Sequence, residues 1–376
     1  MKILILGGGL QGLSCGESLY KKGYAIDIVS DELQIVHSKF FRKVYSKGYT
    51  SIDDTVLDIL RQEQYDIIIP MGDMNVSYLS KHKEQIEKKY SCKCACPSQN
   101  LLEIVEDKNK FMRFCKENDI PHPKTNEINE DDLEYAASYI GFPALIKPNF
   151  SVGARGITRV DSLQELKDKS PAIIEKYGDC TLQELIENLE YYYNVMIYRD
   201  SKGKILASAI IKIVRMYPVR AGSSSCCISV EIPELVKLCT DCLEKLKWVG
   251  MADFDVLQRL DNGEYKIIEI NPRVPASLRG AYVAGINFPE IIVKDEMGET
   301  VPSYQYSPGK IMRYLGIDII WFLKSKTRWK TSPCWFCFAG KNIYYQDLYA
   351  NDMSTWWTWL GEGLGKLRRR NQRLRR

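Results

Sequence analysis

The chain has 376 residues, 45% of them hydrophobic and 27% charged. That composition is ordinary for a soluble globular protein and excludes disordered and collagen-like classes, while the length suggests two or three lobes. No stretch approaches the roughly 18 consecutive apolar residues of a membrane span, and the apolar start Ile3-Leu4-Ile5-Leu6 runs into Gly7-Gly8-Gly9, too short for a signal-peptide core. The expected compartment is therefore the cytoplasm.

The net charge is +4 from 52 basic and 48 acidic residues, but Lys366, Arg368, Arg369, Arg370, Arg373, Arg375 and Arg376 supply seven positive charges with no acid among them. The rest of the chain is mildly acidic, 45 against 48, which does not suit a nucleic-acid binder. Twelve cysteines are scattered along the chain and read as reduced thiols. The CxxC pairs Cys239/Cys242 and Cys334/Cys337 invite a zinc reading. Against it, Leu235, Leu238, Cys242 and Leu246 recur at the spacing of a helix facing a core.

In chain order, the first seventy residues predict a strand over 2–6, a helix over 10–22, a strand over 25–29, a helix over 53–63 and a strand over 66–70. This alternation argues a parallel sheet flanked by helices. Gly7, Gly9 and Gly12 fit GxGxxG between strand and helix, and Asp31 stands where a ribose-binding acid would be wanted. The same glycines equally serve a tight strand-to-helix turn that binds nothing, so NAD or FAD binding stays open at this point. Pro97-Ser98 marks a boundary. Helices are predicted over 99–106 and 109–117, and a new unit begins at Ile120-Pro121-His122-Pro123.

From there the pattern predicts a helix over 131–140 and another over 233–247. Strands are predicted over 144–147, 157–160, 181–185, 192–198, 205–213, 251–259 and 265–270, an α+β arrangement rather than a doubly wound one. The resulting division is a Rossmann-like domain over 1–97, a second domain over 98–300 with a small lobe near 121–185 and a large lobe over 186–300, and an appendage over 301–376. That last part holds six of the seven tryptophans, among them Trp356, Trp357 and Trp359 just before the basic tail.

Two places carry chemistry. Lys147 ends a strand and precedes the turn Asn149 to Gly156, an arrangement that suits phosphate but, taken alone, equally suits a plain hairpin. Asp253-Phe254-Asp255 and Ile268-Glu269-Ile270-Asn271-Pro272-Arg273 lie on strands joined by the turn Asp261-Asn262-Gly263. Alternation puts Asp253 with Asp255, and Glu269 with Asn271, so oxygen ligands can converge on one side as magnesium requires. The alternative is a solvated polar face, although the isoleucines around Glu269 suggest enclosure, and an enclosed carboxylate needs a cation.

In this order the pieces resemble the ATP-grasp superfamily from about Ser98 to Val293, closest to carboxylate–amine ligases and carbamoyl-phosphate-synthase-like members, with 1–96 resembling the Rossmann-like domain that precedes it. The resemblance implies that Lys108 and Lys147 contact the phosphates of ATP under a loop containing Ser151, Gly153 and Gly156. It implies that Gln183, Glu184 and Leu185 receive adenine and that Glu190 binds ribose. Asp255, Glu269 and Asn271 match the Mg²⁺ ligands, with Mn²⁺ as a substitute, and Arg273 matches the arginine beside the transferred phosphate. Two positions depart from the family pattern: Asn188, where glycine is common, and Asp253, where arginine is frequent.

The implied activity is ligation of a small-molecule carboxylate to an amine through an acyl phosphate, with bicarbonate activation by a carbamoyl-phosphate-synthase-like enzyme or carboxylase as the alternative. From another class, the Gly7 turn leaves an NAD(P)-binding oxidoreductase or sensor. Arg215, Arg220, Ser223 and Arg279 are candidate substrate contacts, since a guanidinium suits a carboxylate. Homodimers are common in the family. The tryptophans and arginines of the tail suggest peripheral contact with the inner face of a membrane, against the plainer reading that the rings pack on the body.

Overall fold

The computed structural model describes residues 1–46, 52–128, 133–150, 156–187, 191–219, 222–349, 352–355 and 357. The predicted positions of Ser151, Gly153, Glu190 and Arg220, and most of the Trp/Arg tail, lie outside them.

The first sheet is wholly parallel, in the order β3-β2-β1-β4-β5, from β1 (Lys2–Leu6), β2 (Ala25–Val29), β3 (Lys43–Tyr45), β4 (Ile67–Pro70) and β5 (Lys93–Cys94). Its central strands are mostly apolar, as in sheets covered on both faces, with buried Asp27 on β2 paired to Arg42. Alternate side chains divide accordingly: Leu4, Leu6 and Ile68 enter one core, and Ile3, Ile5, Ile67 and Ile69 the other.

The second sheet, β6-β9-β7-β8, is antiparallel and small: β6 (Thr125–Ile128), β7 (Ala144–Pro148), β8 (Thr158–Val160) and β9 (Cys180–Glu184). Helices Leu133–Ile140 and Leu163–Tyr177 close over it, and Ile128, Ala136, Ile146, Leu166 and Leu182 share a core of their own.

The third sheet runs β14-β13-β10-β11-β12-β15-β16. It comprises β10 (Tyr192–Arg199), β11 (Ile205–Tyr217), β12 (Ser223–Val230), β13 (Gly250–Gln258), β14 (Tyr265–Asn271), β15 (Ile311–Arg313) and β16 (Ile343–Tyr345). All of its pairings are antiparallel except β15 with β16. Strand β10 places Val195 and Ile197 in the first core and Met196 and Tyr198 in the second, so the first domain and the large lobe share both cores. Helix Pro233–Leu246 buries Cys239 and Cys242 completely in the first of these, where burial pushes the Cys239 thiol well up and away from metal-binding thiolate character.

The sequence pattern did not mark helix Asp73–Tyr90, β12, β15, helix Leu315–Lys324 or β16. Ser223-Ser224-Ser225 reads as a loop, yet it opens a strand paired on both sides. Residues 311–345, within the predicted appendage, extend the large-lobe sheet.

Candidate active site

The acidic side of the site is built by strand register. Asp253 pairs across with Asn271 and Asp255 with Glu269, while Asn194 on β10 stands opposite Asp255 on its other flank. Asn194 Nδ2 donates to Asp255 Oδ1, and its own Oδ1 accepts from Ser277 Oγ at 3.0 Å, which fixes the amide's orientation. The carboxyl groups of Asp255 and Glu269 are within hydrogen-bonding reach of each other.

Burial, then the neighbouring Glu269 and Asp253, push the Asp255 carboxyl well above the usual range. Burial does the same to Asp253, reinforced by Glu269 and opposed by Arg273. Asp253 is 1% exposed; Asn271 Nδ2 donates to its Oδ2 at 3.3 Å, but its Oδ1 has no hydrogen-bond partner among the described residues. A crowded set of hard oxygens with an orphaned acceptor is deficient in positive charge and suits a divalent cation.

Arg273 supplies part of that charge from the loop after β14. Its Nε donates to Asp73 Oδ1 at 2.7 Å and its Nη2 to Asp73 Oδ2 at 3.3 Å and Asn271 Oδ1 at 3.2 Å. Burial works against the guanidinium's charge, but Asp73, with Asp253 and Glu269, more than offsets it. Asp73 opens the helix that follows β4, so the first domain reaches into the site. Beside Arg273 a narrow cleft, part of it open to solvent, is lined by Pro70, Cys96, Pro97, Met251 and Glu296. It lies at the carboxyl ends of β4 and β5, the usual ligand side of a parallel sheet.

The basic side comes from the small lobe. Lys147 Nζ donates to Gln183 Oε1 at 2.5 Å, both residues being buried on neighbouring strands. Burial lowers the Lys147 pKa to about 8; Glu269 and Asp255 pull upward and Lys108 downward, so the lysine lies within electrostatic reach of the carboxylates. Lys108 is held at the start of helix Lys108–Glu117, whose N-cap Asp107 accepts from the backbone of Asn109 and Lys110. Just beyond β7, Asn149 Oδ1 is buried without a partner among the described residues. Gly156 has φ +78°, and a Cβ there would meet Pro148 at 2.7 Å, so this end of the turn requires glycine.

At the rim, Glu184 is tied to Arg259 and accepts from Lys124 N at 3.1 Å. Glu187 O accepts from Leu260 N at 2.9 Å, fastening the segment through Leu185 to the large lobe.

A family model described as an ATP-grasp domain matches residues 105–277, which contain Lys108, Lys147 and the carboxylates of β13 and β14. This segment is an ATP-grasp domain. The large chain of carbamoyl phosphate synthase from Methanocorpusculum labreanum is 23% identical over 343 residues, a match covering 82% of this chain and 31% of that one. The chain thus spans 31% of the length of that curated relative. Among solved structures, the biotin carboxylase–β,γ-ATP complex from Campylobacter jejuni superposes with a TM-score of 0.70 at 18% identity, covering 82% of this chain and 74% of that one. The biotin carboxylase domain dimer of 2-oxoglutarate carboxylase from Hydrogenobacter thermophilus, solved with MgADP, ADP and bicarbonate, gives 0.70 at 15% identity, covering 82% and 73%. These likenesses show a shared fold.

Around the ATP-grasp domain, the structure gives two of the predicted substrate arginines, Arg215 and Arg279, partners of their own. Arg215 is buried, with Nε and Nη2 donating to Asp318 at 2.8 and 3.0 Å and Nη1 to Pro333 O at 2.8 Å. Arg279 donates through Nε to Glu17 at 3.0 Å and through Nη1 to Leu348 O at 2.9 Å, with its guanidinium 3.9 Å from the centre of the Tyr349 ring. Both guanidiniums fasten outlying segments to the body, and Ser223 is exposed at the start of β12.

The glycine turn of the first domain is also engaged: Gly9 N–H donates to Glu32 Oε2 at 2.7 Å. A carboxylate therefore stands where a dinucleotide pyrophosphate would need that N–H. Sequence reasoning missed Asn194 and Asp73. Asn194 does leave a trace as a lone amide in the run Tyr193-Asn194-Val195-Met196, whereas nothing near Asp73 in sequence announces a partner 200 residues away.

Proposed function

We infer that the chain is an ATP-dependent ligase of the ATP-grasp type, which activates a carboxylate as an acyl phosphate and joins it to an amine, releasing ADP and phosphate. The observation that carries this reading is the opposition of buried Lys147 to the electron-rich group of Asp255 and Glu269, with Asp253 unsatisfied behind them. Asp255, Glu269 and Asn271 would hold magnesium, or manganese in its place. Such an ion offsets charge on the phosphoryl oxygens during transfer. Lys147 and Lys108 bind phosphate oxygens from the small lobe, the segment Gln183 to Leu185 receives the base, and Ser151, Gly153, Gly156 and Glu190 complete the nucleotide site. Arg273 turns from Asp73 toward the transferred phosphoryl group, and the adjoining cleft receives the small-molecule substrate.

Bicarbonate is the favoured second acid, because the relative is named a carbamoyl phosphate synthase and one structural neighbour was solved with bicarbonate. The test is magnesium-dependent ADP release against a panel of carboxylates, amines and bicarbonate, comparing wild type with Glu269→Gln. Turnover that needs an acid and an amine and is lost in the variant supports the ligase. Stimulation by bicarbonate alone selects the second reading. Binding of NAD(H) without ATP would return function to the glycine turn and sink both.

A further inference from the structure

Helix Leu315–Lys324 and the loop after it expose an apolar surface that the ATP-grasp site does not use. Ile319, Ile320 and Leu323 lie on one outward helical face, and Leu323 is 65% exposed. The loop adds Trp329, Phe336 and Phe338, the first two 70% and 55% exposed. Phe322 joins the two parts: its ring stacks on Trp335 at 4.1 Å and meets Trp329 at 5.3 Å edge-on, while Trp329 stacks on Phe336 at 5.9 Å.

This surface is braced from below. Asp318 on the buried side of the helix accepts from Arg215 and Arg313, and those guanidiniums reach on to Pro333 O at 2.8 Å and Cys337 O at 2.7 Å. Trp335 Nε1 donates to Asp318 O at 3.1 Å. Arg328 Nη1 donates to Leu323 O at 3.2 Å at the helix end. Large rings are thus held outward by a rigid frame, where a slack loop would fold them inward.

Its charge selects the occupant. From 319 to 346 the sequence contains Lys324, Lys326, Arg328, Lys330 and Lys341 and no acid. Lys324, Lys326 and Lys330 are exposed among the rings. Tryptophan and phenylalanine fringed by lysines match the boundary between acyl chains and anionic headgroups, whereas a protein partner would need an acidic, apolar counter-surface. We propose that the surface formed by helix Leu315–Lys324 and the Trp329–Phe338 loop docks the protein on an anionic lipid bilayer, peripherally and apart from the basic tail.

The test is sedimentation of the full-length protein with sucrose-loaded vesicles of phosphatidylcholine alone and of equimolar phosphatidylcholine and phosphatidylglycerol. Wild type should pellet with the anionic vesicles only, and salt should weaken the association. In the full chain, Trp329→Ala/Phe336→Ala should reduce partitioning at least about tenfold, and Lys324→Glu/Lys326→Glu/Lys330→Glu by about two orders of magnitude. All five positions are exposed, so circular dichroism and the thermal midpoint should match wild type. Failure of wild type to pellet overturns the proposal. So does equal pelleting of the variants, which would assign the attraction to the tail. Self-association of wild type that the ring variant abolishes without vesicles would assign the surface to a second copy and overturn it as well.

Discussion

Lys147 is buried enough to lose its proton near pH 8, yet its proposed partner is a polyanion that keeps it charged. A group protonated in the complex and deprotonated in the free protein makes binding cost a proton. ATP affinity measured by calorimetry should therefore be level below about pH 8 and weaken by up to about tenfold per unit above it. Lys147→Met should bind more weakly at neutral pH and lose that slope; a slope retained in the variant assigns it elsewhere. Asn194 acts through Asp255, which it orients with Ser277 behind it. Asn194→Ala should lower Mn²⁺ affinity about 10- to 100-fold in a spin-resonance titration, in addition to the loss of about 1–3 kcal/mol of stability that its unpaired buried partners impose on the metal-free protein.

At the scale of elements, β13 and β14 bring like charges together inside the protein. Raised carboxyl pKa values mean that the folded state holds more protons than the unfolded one, so stability is highest below the ordinary carboxylate range and falls as pH rises through the folded values. The metal-free protein should lose thermal stability from mildly acidic toward neutral pH, and Mg²⁺ should restore it. Asp253→Asn should flatten the dependence. Helix Leu315–Lys324 poses the converse case, one acid between two buried guanidiniums. Asp318→Asn should cost about 3–5 kcal/mol in urea unfolding, because both arginines lose their counter-charge in a dry site.

These elements differ in how legible they were. Strands β13 and β14 announce themselves through period-two alternation around Glu269 and a turn at Asp261-Asn262-Gly263, so the carboxylate grouping follows from local pattern. Strand β12 does not, since serines and cysteines carry no strand signal and its burial is conferred by β11 and β15. For the same reason Arg215 and Arg279 read as available in sequence. Their partners, Asp318 and Glu17, lie 103 and 262 residues away and are brought close only by the tertiary fold.

For the whole molecule, the decisive feature is the sharing of cores. Leu4 and Ile68 pack in one cluster with Val195 and Phe254, and Ile5 and Ile69 in the other with Met196 and Ile291. The sequence suggests a boundary at Pro97-Ser98, but a boundary in chain direction is not a boundary in packing. Cutting there should leave residues 98–376 with an uncovered apolar face. That fragment is expected to bind 8-anilinonaphthalene-1-sulfonate strongly and to show no sharp unfolding transition, whereas the intact chain does the reverse. A fragment that unfolds cooperatively would contradict this.

The small lobe stands in the opposite relation to the body. Its core is its own, and the chain enters it at Lys124 and leaves at Glu184, residues joined by a backbone hydrogen bond of 2.8 Å. Entry and exit so close together are the geometry of an inserted module. Nature or an engineer can thus exchange residues 125–183 as a cassette, altering the cover over the proposed nucleotide site while the acidic floor on β13 and β14 stays as it is.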